Sequence, residues 1–190
     1  MIETLILSIT SFAGTNIDDL FIDMLFFSGA KTKAERNGIV LGKYLGIGIL
    51  TMISILGACG LQLLPQEYIG YLGLVPICLG IREIVSSMKS GKDEEEEHLT
   101  PKSANRVLNV ALITIAGGAD NLGVYIPLFA GFAVWQTALA VCVFGICIAV
   151  WCFFGKSLAD LPVLRKFLMK YKPVLVPVVY IALGGYLLAG

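Results

Sequence analysis

Long apolar stretches separated by short polar ones dominate the pattern of this chain. Stretches of about 18 or more mainly apolar residues are long enough to cross a lipid bilayer as a helix. Such stretches occupy residues 2–28, 38–64, 68–88, 107–131, 135–156 and 173–190. The pattern therefore predicts an all-α integral membrane protein with six transmembrane helices.

The composition supports a membrane location. Hydrophobic residues make up 57% of the chain and charged residues 15%, with a mean hydropathy of +0.83, whereas about a quarter of a soluble domain is charged. The 14 basic and 14 acidic residues cancel, so we expect a lipid bilayer as the partner and no nucleic acid. The five cysteines lie inside apolar stretches without the spacing of a disulfide or zinc framework, and we expect them to be buried.

The distribution of positive charge predicts the orientation. All 14 Lys and Arg residues fall in or beside the first, third and fifth connections between the spans, and such residues favour the cytoplasmic side. We therefore expect a multi-pass protein with both termini outside. Lys43 falls a few residues inside the second span, from which a long side chain is expected to reach back to the cytoplasmic surface. The acidic run 93–98 is typical of a solvated linker.

An internal repeat relates the two halves of the chain. The stretch 18–20 (Asp-Asp-Leu) aligns with the stretch 120–122 (Asp-Asn-Leu) at an offset of 102 residues. Each half contains three predicted spans, and an odd number makes the second half run opposite to the first. The predicted organisation is a three-helix repeat at 1–88, a charged cytoplasmic loop at 89–106 and an inverted three-helix repeat at 107–190.

Acidic residues inside the predicted spans nominate a site. Asp18, Asp19, Asp23 and Asp120 each cost about 2.5–3.5 kcal/mol at the centre of a membrane helix unless they are neutralised. Asp18 and Asp120 fall near the middle of their spans, where inverted repeats bind their substrates. Since no Lys, Arg or His is expected at that depth, we expect protons or a metal ion to neutralise these acids.

The neighbouring residues suggest oxygen ligands for a cation. Asn16, Asp19 and Asp23 are spaced i, i+3 and i+7, which places them on one helix face, and Asn121 follows Asp120 directly. Carboxylate, amide and carbonyl oxygens suit hard or borderline divalent cations. The three cysteines of the fifth span are five residues apart and scatter around the helix, so we expect no sulfur ligand.

A shared site requires an interruption of the helices, because Asp18 is rotated away from the face that holds Asp19. An unwound or kinked segment would also free backbone carbonyls as further ligands. The positions that favour such an interruption are Gly117, Gly118 and Pro127 in the fourth span, and Gly14 and Thr15 in the first.

Four stretches of the chain resemble the bacterial cadmium-resistance transporter family of the CadD type, which is grouped with the lysine-exporter superfamily. They are TNIDDL at 15–20, YLG at 44–46, PICLGI at 76–81 and GGADNLGVYIP at 117–127. The resemblance extends over essentially the whole chain. It implies six helices in two inverted repeats and efflux of divalent metal across the bacterial cytoplasmic membrane.

The resemblance also implies roles for single residues. Asp18 and Asp120 match the acidic motif positions of the family, with Asn16, Asp19 and Asn121 beside them. Asp23 departs from the pattern, where apolar residues are more usual. A further acid at that position would favour a harder ion such as Mn²⁺ or hold a coupling proton.

We therefore expect a secondary transporter, not an enzyme, that exports Cd²⁺, with Zn²⁺ and Mn²⁺ as further candidates, in exchange for protons. The metal is the transported substrate, and no resident cofactor is expected. The alternatives are an amino-acid exporter of the same superfamily and an intramembrane aspartyl protease, which also uses two membrane aspartates. Gly42, Gly46 and Gly57 predict close helix packing, either within one chain or between two copies in a homodimer.

Overall fold

The computed structural model describes residues 1–17, 19–61, 74–89 and 106–160, and near the C-terminus residues 174, 177–178, 180–186 and 188. No strand occurs in these ranges, which confirms the all-α prediction. The helices are α1 (Ile2–Asn16), α2 (Asp19–Ser28), α3 (Lys33–Leu61), α4 (Leu74–Lys89), α5 (Arg106–Gly117), α6 (Ala119–Ala130) and α7 (Val134–Asp160). Residues 180–186 are also helical.

Two to four of the described segments are candidates for membrane spans. α3 and α7, with 29 and 27 residues, are each long and apolar enough to cross a bilayer. The axes of α1 and α2 are bent by 62° and those of α5 and α6 by 73°, and each bent pair qualifies when it is counted as one broken span. The predicted spans 68–88 and 173–190 lie partly outside the described residues, as does the loop 89–106 with its acidic run, so six spans and their orientation stay predictions.

The exposed surface of the long helices is apolar, as expected for helices that face lipid. Leu41 and Leu45 on α3 and Phe153 on α7 are 58%, 45% and 67% exposed. Of the five cysteines, Cys59, Cys78 and Cys142 are also exposed, and only Cys147 and Cys152 are buried. The expectation that all five are buried is wrong, because an apolar residue in a membrane helix suits lipid as well as a protein core.

The second bent pair breaks where the sequence predicts. α5 ends at Gly117, Gly118 forms a turn, and α6 begins at the next residue. A Cβ atom on Gly118 would clash with the Leu50 side chain, so a larger residue would require a shift of that side chain on α3. Pro127 does not interrupt the helix again. It is buried, and α6 continues through it.

The first bent pair breaks later than the sequence predicts. Gly14 and Thr15 both lie inside α1, which ends at Asn16, and α2 begins at Asp19. Thr15 Oγ1 donates to the carbonyl oxygens of Ser11 and Phe12 at 3.1 and 3.3 Å. These bonds tie the hydroxyl to the preceding turn, and α1 remains helical through Thr15.

The helices pack crosswise between the two halves of the chain. α3 packs along α5 and α6, and α7 packs along α1 and α2. At the first of these contacts, a Cβ atom on Gly42 would lie 2.6 Å from Val110 Cβ and 2.7 Å from the Val107 carbonyl oxygen. Gly42 therefore lets the two backbones touch, as small residues do between membrane helices, and the contact lies within one chain.

Aromatic side chains fill the core beside the first break. The ring of Phe12 on α1 lies 5.4 Å from that of Phe144 and 5.3 Å from that of Trp151, both on α7. The ring of Tyr125 on α6 lies 4.6 Å from that of Phe144, at a tilt of 43°. Such pairs contribute about 0.5–1.5 kcal/mol each beyond the area they bury, and this cluster joins α1, α6 and α7.

Candidate functional site at the helix breaks

A narrow pocket lies where α1, α2, α3 and α7 meet, and it is too narrow to admit a water molecule. Isoleucine side chains form part of its wall. The other lining residues are Asn16, Asp19, Asp23, Lys43, Trp151 and Cys152. The pocket therefore brings together three of the predicted ligands, Asn16, Asp19 and Asp23, although the helix that was expected to carry them is broken.

Lys43 lies inside this pocket, so the expectation that it reaches back to the membrane surface is wrong. Its side chain is 2% exposed, and its Nζ lies 2.7 Å from Asp19 Oδ2 and 3.1 Å from Asp23 Oδ1. The expectation that the acids have no basic partner is therefore also wrong for Asp19 and Asp23. The ammonium lowers the cost of burying both carboxylates, and one ammonium with two ionised carboxylates would carry one net negative charge.

Asp23 is completely buried, and its neighbour on α7 is a glycine. A Cβ atom on Gly155 would lie 2.6 Å from Asp23 Cβ, so a glycine is needed for the close approach of α7 to α2. Among the described residues, neither carboxylate oxygen of Asp23 has a donor in hydrogen-bonding geometry, even with Lys43 at ion-pair distance. Asp23 thus keeps lone pairs for a further cation.

Asn16 ends α1 with a fixed amide orientation. Its Nδ2 donates to the Phe12 carbonyl oxygen and to the Tyr125 hydroxyl, both at 2.8 Å. Its backbone carbonyl oxygen accepts from Trp151 Nε1 at 2.7 Å. These bonds leave Asn16 Oδ1 as a buried acceptor without a hydrogen-bond donor in the described part of the chain, which is the kind of oxygen that a cation satisfies.

The second break carries the other predicted ligands. Asp120 lies in the first turn of α6, where its Oδ1 accepts from the backbone N–H of Asn121 at 2.9 Å and its Oδ2 accepts from the Tyr180 hydroxyl at 2.8 Å. Asn121 is 2% exposed, and its Oδ1 has no donor within the described ranges. Each break therefore contains a carboxylate group and a buried amide oxygen.

The pocket described above does not include the predicted ligands of the second break. Asp120 and Asn121 are not in the lining that holds Asn16, and the residues described contain no cluster of three or more His, Cys, Asp or Glu side chains that would hold a metal. Tyr125 connects α6 to the first break, because its hydroxyl forms hydrogen bonds with Thr15 and Asn16 at the end of α1. Asp18, the remaining predicted ligand, lies outside the described residues.

Sequence reasoning missed four residues of the site, namely Lys43, Tyr125, Trp151 and Tyr180. A signal existed for the lysine, which is spaced i+4 from Ile39 and i−4 from Ile47, both buried. It also follows Gly42, one of the small residues that mark the packed face of α3. The three aromatic residues had no such signal, because their roles depend on contacts between distant helices.

One known protein family matches nearly the whole chain. A family model described as cadmium resistance transporter matches residues 12–190. The match spans both helix breaks and both long helices. No curated protein and no solved structure matches the chain.

Proposed function

We propose a transport function for this chain, which belongs to the cadmium resistance transporter family. The resemblance noted in the sequence is thereby confirmed, and the family is one of transporters. In our proposal the protein exports Cd²⁺, with Zn²⁺ and Mn²⁺ as further substrates, from the bacterial cytoplasm. The proposed ligands are Asp18, Asp120, Asp19, Asn121, Asn16 and Asp23.

The observation that carries the proposal is the set of buried oxygens without hydrogen-bond donors at the breaks. They belong to Asn16, Asn121 and Asp23, and of these the Asp23 Oδ1 atom has an ion-pair partner, the Lys43 ammonium group 3.1 Å away. A buried polar atom without a partner is costly in an apolar medium, and a divalent cation offers such oxygens the interaction that a donor would. Carboxylate and amide oxygens are suitable ligands for these ions.

The ends of the broken helices favour the same substrate. α1 and α5 end at the breaks, and the C-terminal end of a helix carries a partial negative charge that attracts cations. Asp19 and Asp120 lie in the first turns of α2 and α6, where the partial positive charge of the helix stabilises an ionised carboxylate. Broken helices with this arrangement are typical of transporters that bind ions near the bilayer centre.

Cys152 extends the proposal to softer metals. The expectation from the cysteine spacing is that no sulfur ligand contributes, yet Cys152 lines the same pocket as Asp19 and Asp23. Thiolate ligands favour soft and borderline ions. A pocket with oxygen atoms and one thiol suits Cd²⁺ and Zn²⁺ in addition to Mn²⁺.

Two inverted repeats that rock against each other would provide alternating access. In support of this mechanism, the order of a broken pair followed by a long helix occurs twice, as α1–α3 and as α5–α7. The two sets are separated by nearly the same offset that aligns the acidic stretches. The crosswise packing of α3 and α7 also fits two halves related by a pseudo-two-fold axis.

Export against a gradient requires a driving force, and we propose exchange for protons. The chain contains no phosphate-binding loop that would use ATP. Carboxylates that release the metal outside would take up protons there and carry them inward. Lys43 already balances one of the negative charges of the site. Fewer protons are therefore needed to neutralise the empty site when it returns to face the cytoplasm.

Metal flux into proteoliposomes tests the proposal. The purified protein is assayed with Cd²⁺, Zn²⁺, Mn²⁺ and Mg²⁺ while the internal pH is recorded. We expect Cd²⁺ flux with opposite proton movement, and we expect Asp120→Asn and Asp18→Asn to abolish it. Asp160→Asn is the matched control, because Asp160 is an exposed acid at the end of α7. Wild-type rates of Cd²⁺ flux in Asp120→Asn would contradict the proposal.

The same vesicles address the alternatives. Absence of flux for all four metals in sealed vesicles that contain the folded wild-type protein would reject metal export. The next substrates to test would then be amino acids, which other members of the superfamily export, followed by peptide cleavage as an assay for an intramembrane protease.

A further inference from the structure

The ammonium group of Lys43 occupies the space between two proposed metal ligands. Its Nζ is 2.7 Å from Asp19 Oδ2 and 3.1 Å from Asp23 Oδ1, and its side chain is 2% exposed. The pocket around the three groups does not admit a water molecule. A divalent cation therefore cannot bind both carboxylates while the ammonium group remains in place, because space is lacking and two cations at such distances repel strongly.

We infer that Lys43 is a tethered counter-cation that the transported metal displaces, an inference that rests on the proposed function. When the metal binds, Lys43 Nζ withdraws from Asp19 and Asp23. When the metal leaves, the ammonium group returns and pairs with the same carboxylates. Buried carboxylates then have a cationic partner both in the loaded and in the empty transporter, which avoids the cost of an unpaired buried charge.

The chemistry of the residues suits exchange better than permanent bonding. A lysine carries its charge on a flexible four-carbon chain that can swing away, whereas an arginine would hold a carboxylate through two parallel hydrogen bonds. The ion pair of Lys43 with Asp23 is also incompletely bonded, because the Asp23 oxygens have no donor in hydrogen-bonding geometry within the described residues. A purely structural buried ion pair needs its remaining lone pairs satisfied to be stabilising.

Displacement of Lys43 by the metal and a purely structural role of Lys43 predict opposite effects of removing its charge. If Lys43 competes with the metal, Lys43→Met leaves two carboxylates available and tightens metal binding. If Lys43 only supports the fold of the site, the same change disorders the ligands and weakens binding. Lys33→Met is the matched control, since Lys33 is exposed at the start of α3.

Equilibrium dialysis of the purified full-length protein against Cd²⁺ measures how each substitution changes the affinity for the metal. We expect the Kd of Lys43→Met to fall about tenfold or more relative to the wild type, because removal of a like charge a few ångströms away has effects of this size. We expect Lys33→Met to bind as the wild type does. An unchanged or higher Kd in folded Lys43→Met would overturn the inference.

A second measurement uses the wild-type protein and so does not depend on the folding of the variant. Lysine amines are methylated with formaldehyde and a borohydride reductant, with and without Cd²⁺, and each site is quantified by mass spectrometry. We expect labelling of Lys43 to rise relative to Lys33 when Cd²⁺ is bound. Equal labelling of Lys43 in both states would refute displacement.

The outcomes separate this inference from the proposed function. If the folded wild-type protein binds and transports no metal, both fail. If the wild-type protein binds and transports Cd²⁺ but Lys43 shows neither tighter binding on substitution nor greater labelling, only the counter-cation role fails.

Discussion

Trp151 holds the end of α1 against α7. Its indole N–H donates to the Asn16 carbonyl oxygen at 2.7 Å, and its ring meets that of Phe12 edge-on at 5.3 Å. The carbonyls of the last helical turn have no partner within their own helix. Trp151 therefore supplies a donor at the residue whose side chain faces the candidate site.

We predict that Trp151→Phe destabilises the protein and Trp135→Phe does not. Loss of the hydrogen bond to Asn16 should lower the free energy of unfolding by about 0.5–1.5 kcal/mol. Trp135 is 53% exposed at the start of α7, and substitutions at exposed positions usually change stability by less than about 0.5 kcal/mol. Unfolding in a denaturing detergent, followed by circular dichroism, measures both variants. Equal stability of the two would contradict the structural role of Trp151.

The sequence predicted part of the site, because the spacing of residues along one helix indicates which of them share a face. The spacing of Asn16, Asp19 and Asp23 predicted a common location, and all three line one pocket. The apolar neighbours of Lys43 could not place it by themselves, because a membrane helix is apolar on its lipid face as well as on its packed face, and the more specific signal was the adjacent Gly42. The length of a lysine side chain also allows it to reach either the membrane surface or a buried acid.

At the scale of helices, the packing of α3 on α5 depends on glycine. An added Cβ atom on Gly42 would meet the backbone oxygen of Val107 at 2.7 Å as well as the side chain of Val110. A backbone atom cannot rotate away as a flexible side chain can. The separation of the two helices is therefore fixed by the absence of a side chain at this position.

We predict that Gly42→Ala destabilises the protein by about 1–3 kcal/mol, the usual effect of overpacking. Gly48→Ala on the same helix is the control, because a Cβ atom there has no neighbour within 4 Å. Alanine also favours a helix over glycine by about 0.8–1.0 kcal/mol, so Gly48→Ala should be neutral or stabilising. The same detergent unfolding assay applies, and a Gly42→Ala variant as stable as Gly48→Ala would refute the close contact.

Most of the helices could be predicted from the sequence, and so could one of the two breaks. Apolar length predicted α3 and α7 as spans, and the glycine pair at 117–118 predicted the break between α5 and α6. The break between α1 and α2 was predicted too early. α1 continues to Asn16, and the side chains of Thr15 and Asn16 hydrogen-bond to carbonyl oxygens of its last turns. Glycine content alone does not report such side-chain bonds.

For the whole molecule, crosswise packing makes each half incomplete without the other. α3 of the first half packs on α5 and α6, and α7 of the second half packs on α1 and α2. The aromatic cluster around Phe12, Tyr125 and Phe144 likewise joins both halves. Neither half can bury its packed surface alone.

We predict that the chain can be divided within the charged loop 89–106 and still function, provided that both parts are present. Residues 1–95 or 96–190 expressed alone should be degraded or aggregate, whereas their co-expression should restore a folded complex and Cd²⁺ flux. Co-purification through a tag on one part, followed by the vesicle assay, tests this. Stable and monodisperse behaviour of either part alone would contradict the crosswise arrangement.

The relation between the two breaks stays a prediction. The offset of 102 residues predicts that Asp18 and Asp120 meet, but Asp18 lies outside the described residues, and the described pocket is lined by residues of the first break, of α3 and of α7. Sequence periodicity identifies the faces of one helix. The distance between two helices depends on packing, here on side chains such as Tyr125 that connect α6 to α1.

The ion pair also has a consequence for biosynthesis. Asp19, Asp23 and Lys43 all belong to α2 and α3, which are translated before α5, α6 and α7. The lysine can therefore pair with both acids in the newly inserted first half, which reduces the cost of placing these carboxylates in the bilayer. The nascent chain thus acquires its own counter-charge before its remaining helices have been translated.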